Sequence, residues 1–443
     1  MFRIKTLHFI IVLVIGFGFT NNLGVQAQTY EGIINEIDKL SKKIEPQVIE
    51  WRRDFHQHPE LGNREFRTSK IIAEHLSQLG MEVQTKVAHT GVVGLLKGKK
   101  LEPVVALRAD MDALPIIEST GLSFASNVKE IEDGKEIGVM HACGHDAHMA
   151  MLMGAAVVLE QIRDRIPGSV KFIFQPAEEG TPTGGIEGAN LMVKEGALEK
   201  PRPSVIFGQH VEPRAHIGTI AYRSGGALAS ADYLKITVHG EQTHGARPWT
   251  GVDPIVVASQ IVLGLQTIVS RQIPLVKAPA VITIGSIHGG SRSNVIPDKV
   301  EMIGTIRCLD RDMRLDIHDR IKRLSTHIAQ SNGAIAEVEI TPTVPAVIND
   351  PEITAKMLPT IQRVAGEENV EIWAPMTGGE DFAFYLEEIP GLFLWLGVTS
   401  LDKDPLSAPF LHTPNFEIDE GGLILGVRIL CNLAFDYLTI IEQ

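Results

Sequence analysis

Nine consecutive residues, Met140-His141-Ala142-Cys143-Gly144-His145-Asp146-Ala147-His148, crowd one thiol and three imidazoles into a short stretch. Thiolate and imidazole both favour zinc-like transition metals, so Cys143 and His145, two apart, read as a ligand pair. Taken singly, His148 reads as a helix-face residue and Cys143 as a small core hydrophobe; the crowding is what speaks for a metal. A second segment, Phe172-Ile173-Phe174-Gln175-Pro176-Ala177-Glu178-Glu179-Gly180, ends an apolar run on two carboxylates. Neighbouring side chains on an extended chain point to opposite sides, so one carboxylate can ligate a metal while the other faces a cleft as a base. A solvated acidic turn is the plain alternative. His210, in Phe207-Gly208-Gln209-His210-Val211, and His412, in Phe410-Leu411-His412-Thr413-Pro414, each close an apolar strand or loop. Arg108-Ala109-Asp110-Met111-Asp112 carries two aspartates two apart, on one side of an extended segment. One of them can accept a hydrogen bond from a metal-bound imidazole and hold its tautomer.

Elements must bring these segments together. Apolar stripes at helical spacing run through residues 33–49, 71–79, 147–162 and 423–441, and short apolar runs at 104–107, 170–174, 205–207 and 392–396 read as buried strands. Their alternation predicts an α/β fold, a catalytic domain with a largely parallel mixed sheet covered by helices. In such sheets ligands gather at the carboxyl ends of strands, where the polar segments above fall. The middle of the chain differs. There the order is strand 233–239, helix 254–269, strands 280–287 and 299–307, helix 311–330 and strand 336–340. This is the split β-α-β-β-α-β pattern of a ferredoxin-like two-layer unit. It predicts a separate domain at 226–342, inserted between parts 30–225 and 343–443 of the larger domain, with residues near 228 and 341 side by side.

The chain has 443 residues, 44% hydrophobic and 21% charged, with 41 glycines and 24 prolines, an ordinary globular composition for two or more domains. A formal charge of -13 without a basic stretch speaks against a phosphate-neutralising surface, hence against nucleic acid as partner. Cys143, Cys308 and Cys431 are too few and too scattered for a disulfide framework. Arg3 and Lys5 precede an apolar run at 9–19 and then Val25-Gln26-Ala27, which predicts a signal peptide at 1–27, cleaved after Ala27, and a secreted or periplasmic protein. Eleven apolar residues fall short of the roughly 20 that a spanning helix needs. No second run of spanning length is expected, so no stable membrane insertion follows cleavage.

Together the motifs resemble the M20 metallopeptidases, specifically their amidohydrolase branch of N-acyl-amino-acid (hippurate-type) and plant auxin-conjugate hydrolases. The resemblance is carried by Trp51-Arg52-Arg53-Asp54-Phe55-His56 with His58-Pro59-Glu60-Leu61, by Arg108-Ala109-Asp110-Met111-Asp112-Ala113-Leu114-Pro115, by the clusters at 140–148 and 175–180, and by Gly378-Gly379-Glu380-Asp381-Phe382. It implies two divalent metal ions, zinc, manganese or cobalt, held by Cys143, His145, Glu179, His210 and His412, with Glu178 as general base and Asp112 behind the ligands. Most of the wider family has histidine where this chain has Asp110, a departure that fits the branch in which Cys143 joins the ligands. His244, in Thr243-His244-Gly245-Ala246-Arg247-Pro248, resembles the family's lid histidine, whose imidazole can stabilise the oxyanion formed when water adds to an amide carbon. Asn294, Arg307 and Gly379 are implied substrate contacts, the lid pair toward a free carboxylate. A surface salt bridge is the plain alternative for Arg307.

The expected activity is metal-dependent hydrolysis of the amide bond of an N-acyl amino acid to a carboxylate and a free amino acid. Water activated by the cations loses its proton to Glu178, which passes it to the leaving amine. A dipeptidase or carboxypeptidase with the same two-metal site is the nearest alternative, and an inactive binding relative a more distant one. A redox role for Cys143 is disfavoured by the absence of a nearby second cysteine. Apolar residues on several faces of 254–269, among them Ile255, Val256 and Leu263, suggest a homodimer through the lid.

Overall fold

The computed structural model describes residues 8–132, 134–181 and 187–442, with side chains from Tyr30 to Ile441 except that of Glu132. The side chains of the leader expected over 1–27 lie outside the described residues. At the centre is an eight-stranded mixed sheet. Val104–Asp110, Ser169–Gln175, Val205–His216 and Gly391–Thr399 pair in parallel at its middle. Successive residues alternate between the two sheet faces, and both faces are buried. Leu392, Leu394 and Leu396 join one core cluster, while Phe393 and Trp395 join another. The first core is closed by His8–Gln57, Phe66–Gln78, His145–Gln161, Pro351–Ala365 and Leu423–Glu442; the second by Gly188–Lys194 and Ala383–Glu388.

An antiparallel hairpin, Glu82–Val87 with Gly91–Lys97, extends one edge beyond the expected strands. Glu82–Val87 is exposed over most of its length and therefore lacks the apolar run that marks a central strand. A second correction concerns spanning length. Glu420–Ile441 and Pro254–Gln272 are both long and apolar enough to cross a membrane, with mean hydropathies of 1.7 and 1.3. The first owes its composition to burial on several sides, through Leu425, Val427, Ile429, Leu430, Leu433 and Leu438.

Between Leu228 and Val347 the chain builds a separate four-stranded antiparallel sheet, ordered Ala280–Gly289, Lys299–Cys308, Ser230–His239, Ile335–Val344. Helices Pro254–Thr267 and Arg311–Ser331 pack on it around a core of its own that includes Leu234, Ile236, Ile261, Leu265, Met302, Ile317 and Ile321. Both begin on aspartate caps, Asp253 accepting from the Ile255 and Val256 amides and Asp310 from that of Met313. Ala231 pairs directly with Val344, so the entering and leaving chains run side by side.

Buried Asp232 pins the second of these helices to the sheet, accepting from Arg314 Nη2 at 2.6 Å and His318 Nε2 at 2.9 Å. Burial alone would raise its carboxyl, but the hydrogen bonds from His318 and Arg314 hold it below the usual carboxylate range. The stabilisation is thus present above the unfolded-state value of about 3.9 and is lost as pH falls through the lower folded value. Asp232→Asn is expected to lower the melting temperature at pH 7 by roughly 5 °C and to flatten the acid limb of the stability curve. An acid limb identical to wild type in scanning calorimetry would refute the assignment.

Candidate active site

Cys143 and His145 flank the start of the helix His145–Gln161, with Gly144 between them at φ 87°. A methyl group on Gly144 would stand 2.3 Å from Val211 Cγ2, so only glycine lets the thiol and the imidazole approach one pocket. Gly144→Ala is accordingly expected to weaken metal binding by about 10–100-fold, and Cys143→Ser to weaken it as well, a hydroxyl being a far poorer anionic ligand. Metal titration of the two variants reads this directly; wild-type affinity in both would contradict it.

Hydrogen bonds assign the ring nitrogens. His145 Nδ1 donates to the Asp112 backbone oxygen at 2.9 Å, with Asp112 Oδ1 at 3.2 Å, which leaves Nε2 bare. That Nε2 is buried and has no hydrogen-bond partner among the described residues. His210 Nδ1 donates to the Val211 oxygen at 2.6 Å, and its bare Nε2 lies 3.3 Å from Cys143 Sγ. His412 comes in on a loop whose amide bonds the Ala142 oxygen at 2.8 Å. Its Nε2 lies 3.3 Å from the same Sγ and 2.9 Å from Glu179 Oε1. Among the described residues Glu179 Oε1 has no other close partner. Such atoms converge on common points between them rather than on each other.

Glu178 and Glu179 were expected on opposite sides of an extended segment; instead they occupy a turn. Ala177 adopts the left-handed region at φ 49°, and the Gly180 amide closes back on the Ala177 oxygen at 3.3 Å. Both carboxylates consequently enter one pocket, with ligand-type atoms of His145, Glu178 and Glu179 all within 4.8 Å of one another. The left-handed backbone costs a non-glycine residue about 1–2 kcal/mol, which the surroundings must offset.

The electrostatics match a cation site. Burial, then Glu179 and Glu178, push the Cys143 thiol well above its ordinary range, so that it ionises only with positive charge beside it. Burial also drives His210 well below the ordinary imidazole value, keeping it a neutral donor. His145 behaves oppositely. Burial opposes its charge, but Asp110, Asp112 and Glu179 prevail and push it up to about 10, which marks a position that calls for a cation. Glu178 is partly open to the cleft, yet burial of its carboxyl and then Glu380, Glu179 and Asp381 raise it well above the usual carboxylate range. Cys143, His145 and His210 form one group of convergent donors, and Cys143, Glu179 and His412 another. Soft and borderline donors with unpartnered lone pairs fit zinc-like or manganese-like ions.

Behind the donors lies a buried ionic network that the motif spacing did not disclose. The Arg108 guanidinium bonds Gln175 Oε1 at 2.8 Å, Asp110 Oδ2 at 2.6 Å, Glu380 Oε1 at 3.0 Å and Asp381 Oδ1 at 2.9 Å. Within the trio Glu178, Glu380 and Asp381, Arg108 therefore already gives Glu380 and Asp381 a cation. His148 is likewise occupied. Its Nε2 accepts from the Val211 amide at 2.9 Å, so Nδ1 is the protonated nitrogen and donates to Asp110 at 2.6 Å. Arg108 stood in the sequence two residues from Asp110, but nothing local marks Glu380 and Asp381, more than 270 residues away, as its partners.

The residues expected to contact the substrate divide into two groups. Arg307 lies beside Gly379, its Nη1 3.7 Å from where a Cβ on that glycine would be, and makes no hydrogen bond or ion pair among the described residues. His244 and Asn294 lie together on exposed segments of the four-stranded unit, joined by the Gly245 amide on the Asn294 oxygen at 2.8 Å. Ala246 N–H donates to His244 Nδ1 at 3.0 Å, which places the ring hydrogen on Nε2. No described hydrogen bond or ion pair links His244 or Asn294 to the donors around Cys143.

A parallel-centred sheet presenting thiol, imidazole and carboxylate donors in overlapping groups, beside a further carboxylate, defines a two-metal hydrolase. The chain belongs to the peptidase family M20/M25/M40, whose family model matches residues 106–436. It is 39% identical over 407 residues to thermostable carboxypeptidase 1 of Saccharolobus solfataricus, covering 91% of this chain and 99% of that one. It is 38% identical over 393 residues to N-acetyl-L-cysteine deacetylase of Bacillus subtilis, covering 88% of each. Among solved structures, a dinuclear metal-binding peptidase of the M20 family from Bacillus subtilis superposes with a TM-score of 0.74 at 36% identity, over 90% of this chain and 99% of that one. The protein is a metal-dependent amidohydrolase that uses two divalent metal ions.

Proposed function

We propose that the enzyme hydrolyses N-acyl amino acids, with Cys143, His145, Glu179, His210 and His412 as metal ligands and Glu178 as general base. The observation that carries this reading is the contrast between the two glutamates. Glu179 Oε1 converges with His412 Nε2 and Cys143, whereas among the described residues Glu178 has only a long contact from the Asp381 amide, 3.4 Å, on its carboxylate. The metal ions, when bound, supply Lewis acidity toward water and the amide carbonyl. Glu178 takes the proton of the attacking water and returns it to the leaving nitrogen. Asp112 holds His145 in the tautomer that leaves Nε2 bare, through its backbone oxygen at 2.9 Å and its carboxylate at 3.2 Å, and its carboxylate accepts the Glu179 amide at 2.9 Å, so one residue orients two ligands. The unpaired Arg307 beside Gly379 suits the free carboxylate of the amino-acid half, and the outward Nε2–H of His244 suits a developing oxyanion.

The 39% identity to a carboxypeptidase keeps peptides as the second reading, since they offer the same terminal carboxylate. Manganese- or zinc-loaded enzyme assayed against matched N-acetyl amino acids and dipeptides separates the two. Faster turnover of the dipeptides would reverse the preference. The basic and then apolar start of the chain supports export with cleavage after Ala27, which the N-terminal residue of the secreted protein tests. Exposed Val256, Leu263 and Ile287 on the lid support a homodimer there, which the mass in solution tests.

A further inference from the structure

The segment after the first helix, His58-Pro59-Glu60-Leu61-Gly62-Asn63-Arg64-Glu65, has no part in the chemistry above, yet it is wrapped around the turn that carries the two glutamates. The Glu60 oxygen accepts the Ala113 amide at 2.8 Å, which ties the segment to the end of the Asp110–Asp112 stretch. A methyl group on Gly62 would come 2.7 Å from the Gly180 oxygen and 3.2 Å from Ala177 Cα, so this backbone lies directly against the turn. Glu65 is fully buried and has no ion pair among the described residues. Its Oε2 accepts the Thr90 hydroxyl at 2.5 Å and its Oε1 accepts the Ala177 amide at 3.0 Å. A buried carboxylate without a cation is costly to keep, and the backbone amide that its Oε1 accepts belongs to the residue held at φ 49°.

We infer that Glu65 is a positioning residue for the glutamate pair: by gripping the Ala177 amide it holds that residue in the left-handed conformation that turns Glu178 and Glu179 into one pocket. Released from this grip, Ala177 relaxes toward ordinary extended backbone. The Glu178–Glu179 turn that follows then swings as a unit away from His145, which it faces within the pocket. The inference rests on the reading of Glu178 as base and Glu179 as ligand.

The test measures kcat, KM and bound metal at saturating manganese, with an N-acetyl amino acid that the wild-type enzyme cleaves. Glu65→Ala is expected to lower kcat about 100-fold with KM changed less than about threefold, because misplacement by an ångström costs that order in rate. Ala177→Gly added to Glu65→Ala should recover at least about tenfold, since glycine takes positive φ without a steric penalty. Glu65→Gln should retain a fifth or more of wild-type kcat, because its amide oxygen still accepts the Ala177 N–H and its amide nitrogen can donate to Thr90. A merely structural role for Glu65 would not be relieved by a glycine at 177. Wild-type kcat in Glu65→Ala, or no recovery in the double variant, overturns the inference. Should Glu65→Ala fail to fold, Thr90→Val, which frees the other oxygen of the same carboxylate, takes its place. Its expected fall in kcat is about fivefold, again relieved by Ala177→Gly, and an unchanged kcat overturns the inference equally. Glu178→Gln, run alongside, keeps the two readings apart. If it is fully active the general-base assignment fails, whereas an inactive Glu178→Gln beside an active Glu65→Ala fails the positioning role alone.

Discussion

Glu178→Gln is expected to keep both metal ions and the fold while losing at least 10²–10⁴-fold in turnover, about the contribution of a general acid-base group. The amide is nearly isosteric with the carboxylate, and the Asp381 amide, its contact at 3.4 Å, can still donate to the glutamine oxygen. Glu179→Ala should behave differently, losing metal and activity together, because a charged donor facing His412 and Cys143 disappears. Metal analysis and kinetics on the same preparations distinguish the two. Loss of metal from Glu178→Gln with retention in Glu179→Ala would exchange their roles, and activity in both would refute the mechanism.

Arg108→Met is expected to be the most destabilising single substitution near the site, by about 3–5 kcal/mol, because it strands Asp110, Glu380 and Asp381 in the interior without their cation. Burial already pushes the Asp381 carboxyl up to about 8 and raises that of Glu380, with Arg108 as the main opposing influence on both. Arg108→Lys should not rescue, since an ammonium is a point charge and cannot reach Gln175, Asp110 and the Glu380–Asp381 pair in fixed directions. Denaturant unfolding of metal-free protein measures the effect apart from ligand binding. A loss below about 1 kcal/mol in Arg108→Met would mean that the network relaxes or takes up protons without cost.

Parts of the fold and of the site were legible because they depend on short spacings. The helices at 147–162 and 423–441 and the strands at 104–107 and 392–396 appear within a few residues of the expected bounds, since long apolar runs have few other uses. Cys143 and His145 were recognisable from neighbours two positions apart, and His210 and His412 from their places at the ends of apolar segments. The edge hairpin at 82–97 was not visible, because its outer strand is mostly exposed and carries no apolar run. His148 could be read as a ligand or as a helix-face residue, and the choice fell to Val211, whose amide occupies the nitrogen a metal would need.

By itself, then, the amino-acid sequence determined the α/β class and pointed to the donor types of the proposed metal centre, since hydrophobic period and ligand chemistry are local properties. Only the tertiary structure decided how those donors face one another. The conformation of Ala177 answers to Glu65, 112 residues away, and the charge on Arg108 is answered by carboxylates more than 270 residues further on. Contacts at that separation follow from packing of the whole sheet and leave no periodic trace in the chain, because a single buried hydrogen bond constrains one atom pair and not a pattern of residues.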